Sequence, residues 1–94
     1  MFVRVVRFTD ATPERVTGLI ARIEAEDGPP PGVPVKGLQM VFDEHQGTAV
    51  VLQLFDSAED MRSSGQAFAA MHPTETPGTR ASVDMCELKL EHRL

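Results

Sequence analysis

Apolar and polar positions along the chain switch between the two-residue period of strands and the 3.6-residue period of helices, and the switches mark the elements. Residues 2–9, FVRVVRFT, are rich in β-branched and aromatic side chains and carry apolar groups on both parities, Phe2, Val6 and Phe8 against Val3 and Val5. A strand of this kind needs cover on both of its faces. Thr12-Pro13 then opens a helix, with threonine as N-cap and proline at the first helical position, where its missing N–H costs nothing. Val16, Leu19, Ile20 and Ile23 follow at i, i+3, i+4 and i+7, which places one apolar stripe on a helix over Pro13 to Glu26.

Asp27 to Pro34 (DGPPPGVP) cannot continue a helix, because each proline fixes φ and pushes the preceding residue out of the α region; it reads as a surface loop. Val35 to Phe42 and Thr48 to Phe55 are strand-like and flank the polar loop Asp43 to Gly47, a hairpin pattern. Ser57 with Asp60 three positions on is a variant capping box. It begins a second helix over Ala58 to Met71, with Met61, Phe68 and Met71 on one side and Gly65 permitting a close approach. His72-Pro73 stops that helix, Thr74 to Thr79 forms another loop, and Arg80 to Leu90 closes the domain as a strand before the tail Glu91 to Leu94. Within that strand Val83 and Met85 share one parity, and Cys86, Leu88 and Leu90 share the other.

Strand, helix, hairpin, helix, strand is the ferredoxin-like βαββαβ order of an α+β domain, a four-stranded antiparallel sheet with two helices on one face. The helices shield one face only, yet strand one and both hairpin strands (Leu38, Met40 and Phe42 with Val41 between; Val50, Leu52 and Leu54 with Val51 between) are apolar on both parities. A sheet with one wet face alternates more cleanly than this. A second copy packed sheet to sheet resolves the conflict, so a homodimer is expected.

Ninety-four residues with 41% hydrophobic and 24% charged side chains suit one globular domain. A net charge of −5, with the nine basic residues scattered rather than clustered, argues against nucleic-acid binding. The longest apolar run, Ala49 to Leu52, falls far short of the roughly 20 residues of a membrane span. The first residues lack the ordered pattern of a secretion signal. A single cysteine, Cys86, excludes an intrachain disulfide and fits a reducing compartment; a cytoplasmic protein is expected, with Cys86 packed inside its strand.

The whole chain resembles the dimeric α/β barrel superfamily, in particular the small antibiotic biosynthesis monooxygenase-like proteins. The resemblance rests on Val6-Arg7-Phe8 at the end of strand one, Thr12-Pro13-Glu14-Arg15 at the helix start, and Lys36-Gly37-Leu38 opening strand two. It continues through Leu54-Phe55-Asp56-Ser57-Ala58-Glu59 at the junction into helix two and Ser82-Val83-Asp84-Met85-Cys86-Glu87 in the final strand. These are structural punctuation rather than catalytic signatures, and they speak for fold and dimer more than for activity.

The resemblance implies a pocket between sheet and helices, lined by the parity of Phe2, Arg4, Val6 and Phe8. Gln53 stands on the adjacent strand and Phe68 on the second helix. Some members oxidise aromatic polyketides there, using Asn, Trp and Tyr, and others degrade haem, using Asn, Trp and His, in each case without a flavin or resident metal. Asn, Trp and Tyr do not occur in this chain. His72, near the end of helix two where the haem-degrading members present their axial ligand, is the surviving candidate of those sets. Its other reading is a cation complementing a helix C-terminus.

Arg4, between Phe2 and Val6, is costly to bury unpaired. It either binds an anionic or carbonyl-bearing ligand together with Gln53, or pairs with a structural carboxylate or reaches solvent at a sheet edge. Cys86, His45, His72 and His92 have no ligand-pair spacing, so no metal is expected. Ser63-Ser64-Gly65 reads as helix surface rather than a nucleophile elbow, and the glycines form no phosphate or dinucleotide loop, so no cofactor is expected.

Two function classes follow from the sequence and the resemblance. One is a cofactor-independent monooxygenase-like protein in which a small aromatic or lipophilic substrate itself activates oxygen. The other is a non-catalytic small-molecule-binding or stress-associated dimer.

Overall fold

The computed structural model describes residues 1–26, 33–69 and 76–94, with side chains throughout except at 68 and 69. The elements run β1 (Phe2–Thr9), α1 (Pro13–Ala25), β2 (Gly37–Asp43), β3 (Thr48–Phe55), α2 (Ala58–Ala69) and β4 (Thr79–Glu87). The strands form a single antiparallel sheet in the order β2-β3-β1-β4, the arrangement expected of a ferredoxin-like fold. The two strands adjoining α1 in sequence, β1 and β2, are not neighbours, because β3 returns between them.

Register decides which side chains share a face. Phe2, Arg4, Val6 and Phe8 stand opposite Phe55, Gln53, Val51 and Ala49 of β3. Val6, Phe8 and Ala49 pack with Ala11 and with Val16 of α1, and Met40, Phe42, Val51 and Val83 close around them. Across β4, Met85 lies opposite Arg4, and a Cβ added to Gly65 of α2 would sit 3.5 Å from its Cε. Both helices therefore lie over the face of the even-numbered β1 residues. That spacing at Gly65 is ordinary van der Waals contact, so crowding alone does not require the glycine.

Local chemistry starts the helices as the sequence predicts. Thr12 is extended at φ −119° and ψ 154°, its hydroxyl accepts from the Arg15 N–H at 3.2 Å, and Pro13 begins the helix. Ser57 Oγ accepts from the Asp60 N–H at 3.1 Å. α1 ends one residue before the expected boundary, with Glu26 returning to extended geometry as its cap. β2 begins at Gly37 rather than Val35, although the Lys36 N–H still donates to the Leu54 carbonyl at 2.7 Å. β4 ends at Glu87, not Leu90.

Three loops meet at one end of the sheet. Asp10 takes a left-handed φ of 55° after β1, and Gly47 one of 67° in the β2–β3 hairpin; the Ala11 N–H donates to the Gly47 carbonyl at 2.9 Å. Gly78, just before β4, lies so close to the chain leaving β1 that a Cβ there would collide with the Thr9 carbonyl oxygen and stand 3.1 Å from the Ala11 nitrogen. The corner thus fixes where α1 starts relative to both neighbours of its parent strand.

Two expectations about burial need correction. The α1 stripe exists, but Val16 alone of its members is buried, whereas Ile20 and Ile23 stay 41% and 38% exposed. At about 1.5 Å per residue, Ile23 lies roughly 10 Å along the helix from Val16, out of reach of the cluster that Val16 meets. Cys86 is exposed rather than packed. It pairs with Val3 and so faces away from the helices, on an edge strand of which Val83 alone is even half-buried.

Candidate functional site

Three polar or charged side chains are buried among the described residues: Arg4, Gln53 and Ser64. Ser64 satisfies its hydroxyl within α2 by donating to the Asp60 carbonyl at 2.8 Å. It was expected on the helix surface with Ser63; Ser63 is exposed, but Ser64 is fully enclosed. An internal back-bond of this kind is structural.

Arg4 and Gln53 are different, because they bond to each other across strands. They are register partners on the helix-covered face, 3% and 7% exposed, and Arg4 Nη1 donates to Gln53 Oε1 at 2.8 Å. Since β1 is an inner strand and Arg4 is buried, the expectation that this side chain reaches solvent at a sheet edge is not met. Its guanidinium pKa is held below the usual value, first by desolvation on burial and second by the like charge of Arg80. Arginine remains a cation under such shifts.

The remaining predicted pocket residues divide. Val6 and Phe8, 3% and 6% exposed, belong to the core cluster, and Phe2 is half-buried opposite Phe55, which is wholly enclosed. Met61 of α2 is also buried at 3%. These residues give the layer around Arg4 and Gln53 a phenylalanine, valine and methionine lining. The side chain of Phe68 and the whole of His72, together with Met71, lie outside the described residues. His45 and His92 are exposed in the hairpin loop and the tail. Among the described residues no group of three His, Cys, Asp or Glu side chains is placed to hold a metal ion, and no helix is long and apolar enough to cross a membrane.

Arg80 was not singled out by the sequence, and its relevance comes from an irregularity in strand pairing. Arg7 pairs with Ser82, but Phe8 pairs with Arg80, so Ala81 is skipped in a β-bulge. The bulge restores Arg80 to the side of the sheet that carries Phe8 and Arg4. Alternation counted from Val83 without it would place residue 80 on the opposite side.

Chemically, the arrangement is a cluster of donors beside apolar side chains. The Gln53 carbonyl accepts from Arg4, and the other polar groups of the two side chains, the Gln53 amide N–H groups and the guanidinium N–H groups, are all donors. Such a group recognises oxygen acceptors. The chain matches no family model, no curated protein and no solved structure.

Proposed function

We propose that this chain is a homodimeric small-molecule-binding protein of the dimeric α/β barrel kind, close in design to the antibiotic biosynthesis monooxygenase-like proteins. It takes an apolar or aromatic compound against the helix-covered face and holds an oxygen acceptor of that compound on Arg4 and Gln53. The observation that carries the reading is the buried Arg4–Gln53 hydrogen bond on a face otherwise dominated by apolar side chains, among them Val6, Phe8, Ala49, Phe55 and Met61. Removing a cation from water costs several kcal/mol after relaxation. A ligand oxygen that the guanidinium can engage offsets part of that cost and gains a charge-assisted bond.

The dimer is supported by the opposite face of the sheet, where Val5, Val50, Leu52 and Leu54 are only half-buried and Val41 is 57% exposed. Oxygenase chemistry is the extension of this reading in which the bound compound supplies the electrons to oxygen. The chain lacks the Asn, Trp and Tyr with which known members do that work, so binding without turnover is the form proposed. A cytoplasmic setting is part of the same reading.

Native mass spectrometry of the purified protein tests it directly. A dimer carrying a small-molecule adduct that disappears in Arg4→Met is the expected result. A bare monomer at micromolar concentration would overturn the proposal, and an adduct released one oxygen atom heavier would move it to the oxygenase form.

A further inference from the structure

The open face of the sheet carries two charges that nothing within the subunit satisfies. Of the charged residues in the four strands, Arg4, Arg80 and Glu87 lie on the helix side by register, and Arg7, Asp43 and Asp84 on the other. Asp43 is held by its own hairpin, accepting from the Gln46 backbone N–H and from Gln46 Nε2. Arg7 and Asp84 are exposed, and among the described residues neither has a side-chain hydrogen bond or ion pair. Arg7 stands between Val50 and Ser82 in one cross-strand row; Asp84 stands beside Val5, with Leu52 beyond it, in the next row of the same face. Rows on one face are two residues apart, about 7 Å, and neighbouring strands are about 4.8 Å apart. The two opposite charges thus sit diagonally at the margin of the apolar patch that Val5, Val50 and Leu52 form.

We infer that Arg7 of each subunit pairs with Asp84 of the partner subunit, and that these two reciprocal ion pairs set the orientation of the homodimer. This rests on the dimer proposed above and deepens it. Covering the open face takes Arg7 and Asp84 partly out of water, which is unfavourable for each charge unless it meets its opposite. A two-fold interface lays one patch against itself, so a contact made once is made twice. An axis running across the strands, midway between the two rows, sets the partner's Arg7 over Val5, one strand from Asp84. The same operation lays the partner's Val50 on Leu52, so apolar and charged contacts agree. An axis running along the strands through the middle of the sheet instead sets the partner's Arg7 over Val50, two strands from Asp84, and leaves both charges without a counterpart. The charges therefore choose between two arrangements that the apolar side chains alone would accept.

Analytical ultracentrifugation of the full chain over a range of concentrations tests the inference. Arg7→Asp and Asp84→Arg should each weaken self-association by at least about tenfold, because symmetry brings like charges together twice. Mixed one to one, the two variants should form a heterodimer of near-parental affinity, since every contact then joins an acidic chain to a basic one. Combining both changes in one chain should likewise restore the homodimer. Both residues are exposed in the subunit, so circular dichroism should be the same for all four proteins. A dimer that both single variants retain at parental strength would remove the ion pairs while leaving the dimer itself intact. Folded variants that dissociate but do not recover on mixing would show that the two charges never meet, and would equally overturn the inference. A parent protein that is monomeric at micromolar concentration would end the inference and the proposed dimer together.

Discussion

The two faces of the sheet are built from similar residues and differ in their cover. On the helix side, Val6, Phe8, Ala49 and Phe55 are between 0% and 6% exposed. On the other side, Val3 is buried, but Val5, Val50, Leu52 and Leu54 are half-exposed although they occupy the same two inner strands. Burial is worth roughly 25 cal/mol per Å² of apolar surface removed from water, whichever face supplies it. The helix-free face therefore holds stabilisation that a single subunit leaves unused. The polar content is also reversed. The dry face contains the buried Arg4–Gln53 pair, while Arg7, Ser82 and Asp84 on the open face are exposed to water.

The sharpest way to break the comparison is to remove one large side chain from each face. Phe55→Ala empties a site with no exposure and should cost about 3–5 kcal/mol, read as a denaturation midpoint lowered at every protein concentration tested. Leu52→Asp on the open face should act instead through association. Placing an unpaired carboxylate against a partner surface should weaken the proposed dimer by about 100-fold or more, seen as a halved mass in light scattering, while the fold persists by circular dichroism. If Leu52→Asp changed neither mass nor its concentration dependence, the open face would not be the dimer surface.

Smaller effects sharpen the picture of the covered side. Thr12→Ala removes the hydroxyl that receives the Arg15 N–H and should cost ~1 kcal/mol in chemical denaturation. The double change Arg4→Met with Gln53→Leu replaces both partners of the buried bond by apolar groups of similar length. It should cost less stability than Arg4→Met alone, because taking away both ends of the bond leaves no orphaned Gln53 carbonyl. The same double variant should lose its adduct. A large loss of stability would mean that the pair serves the fold.

The fold was legible because its signals are local. Thr12-Pro13, Ser57 with Asp60, the polar hairpin loop and the two-residue alternation each act within a few residues, and the element order then admits few topologies. Burial was less legible. Nothing in the α1 stripe shows that Ile20 and Ile23 pass beyond the cluster that Val16 joins, and nothing around Cys86 marks β4 as an edge strand with its odd-side neighbours exposed. Arg4 and Gln53 stand out in the sequence as joint ligand contacts because both lie amid apolar alternation, but that they bond to each other comes only from the β1–β3 register. Arg80 escaped notice because a bulge reverses the face of every residue beyond it, and within the strand itself, Thr79–Glu87, there is no glycine or proline to announce one.

The central place of β1 has a consequence for how the chain reaches its native state. Phe2 lies beside Glu87, 85 positions later (87 − 2), so the first strand made must wait for the final one before its second edge is paired. Closing such distant contacts is slow, because loop entropy is lost before the pairing compensates for it. Until then β1 presents an open ladder of N–H and C=O groups between valines and phenylalanine, a template for strands of neighbouring chains. Yield on refolding should fall steeply as concentration rises, and a fragment ending before Thr79 should precipitate where the full chain stays in solution.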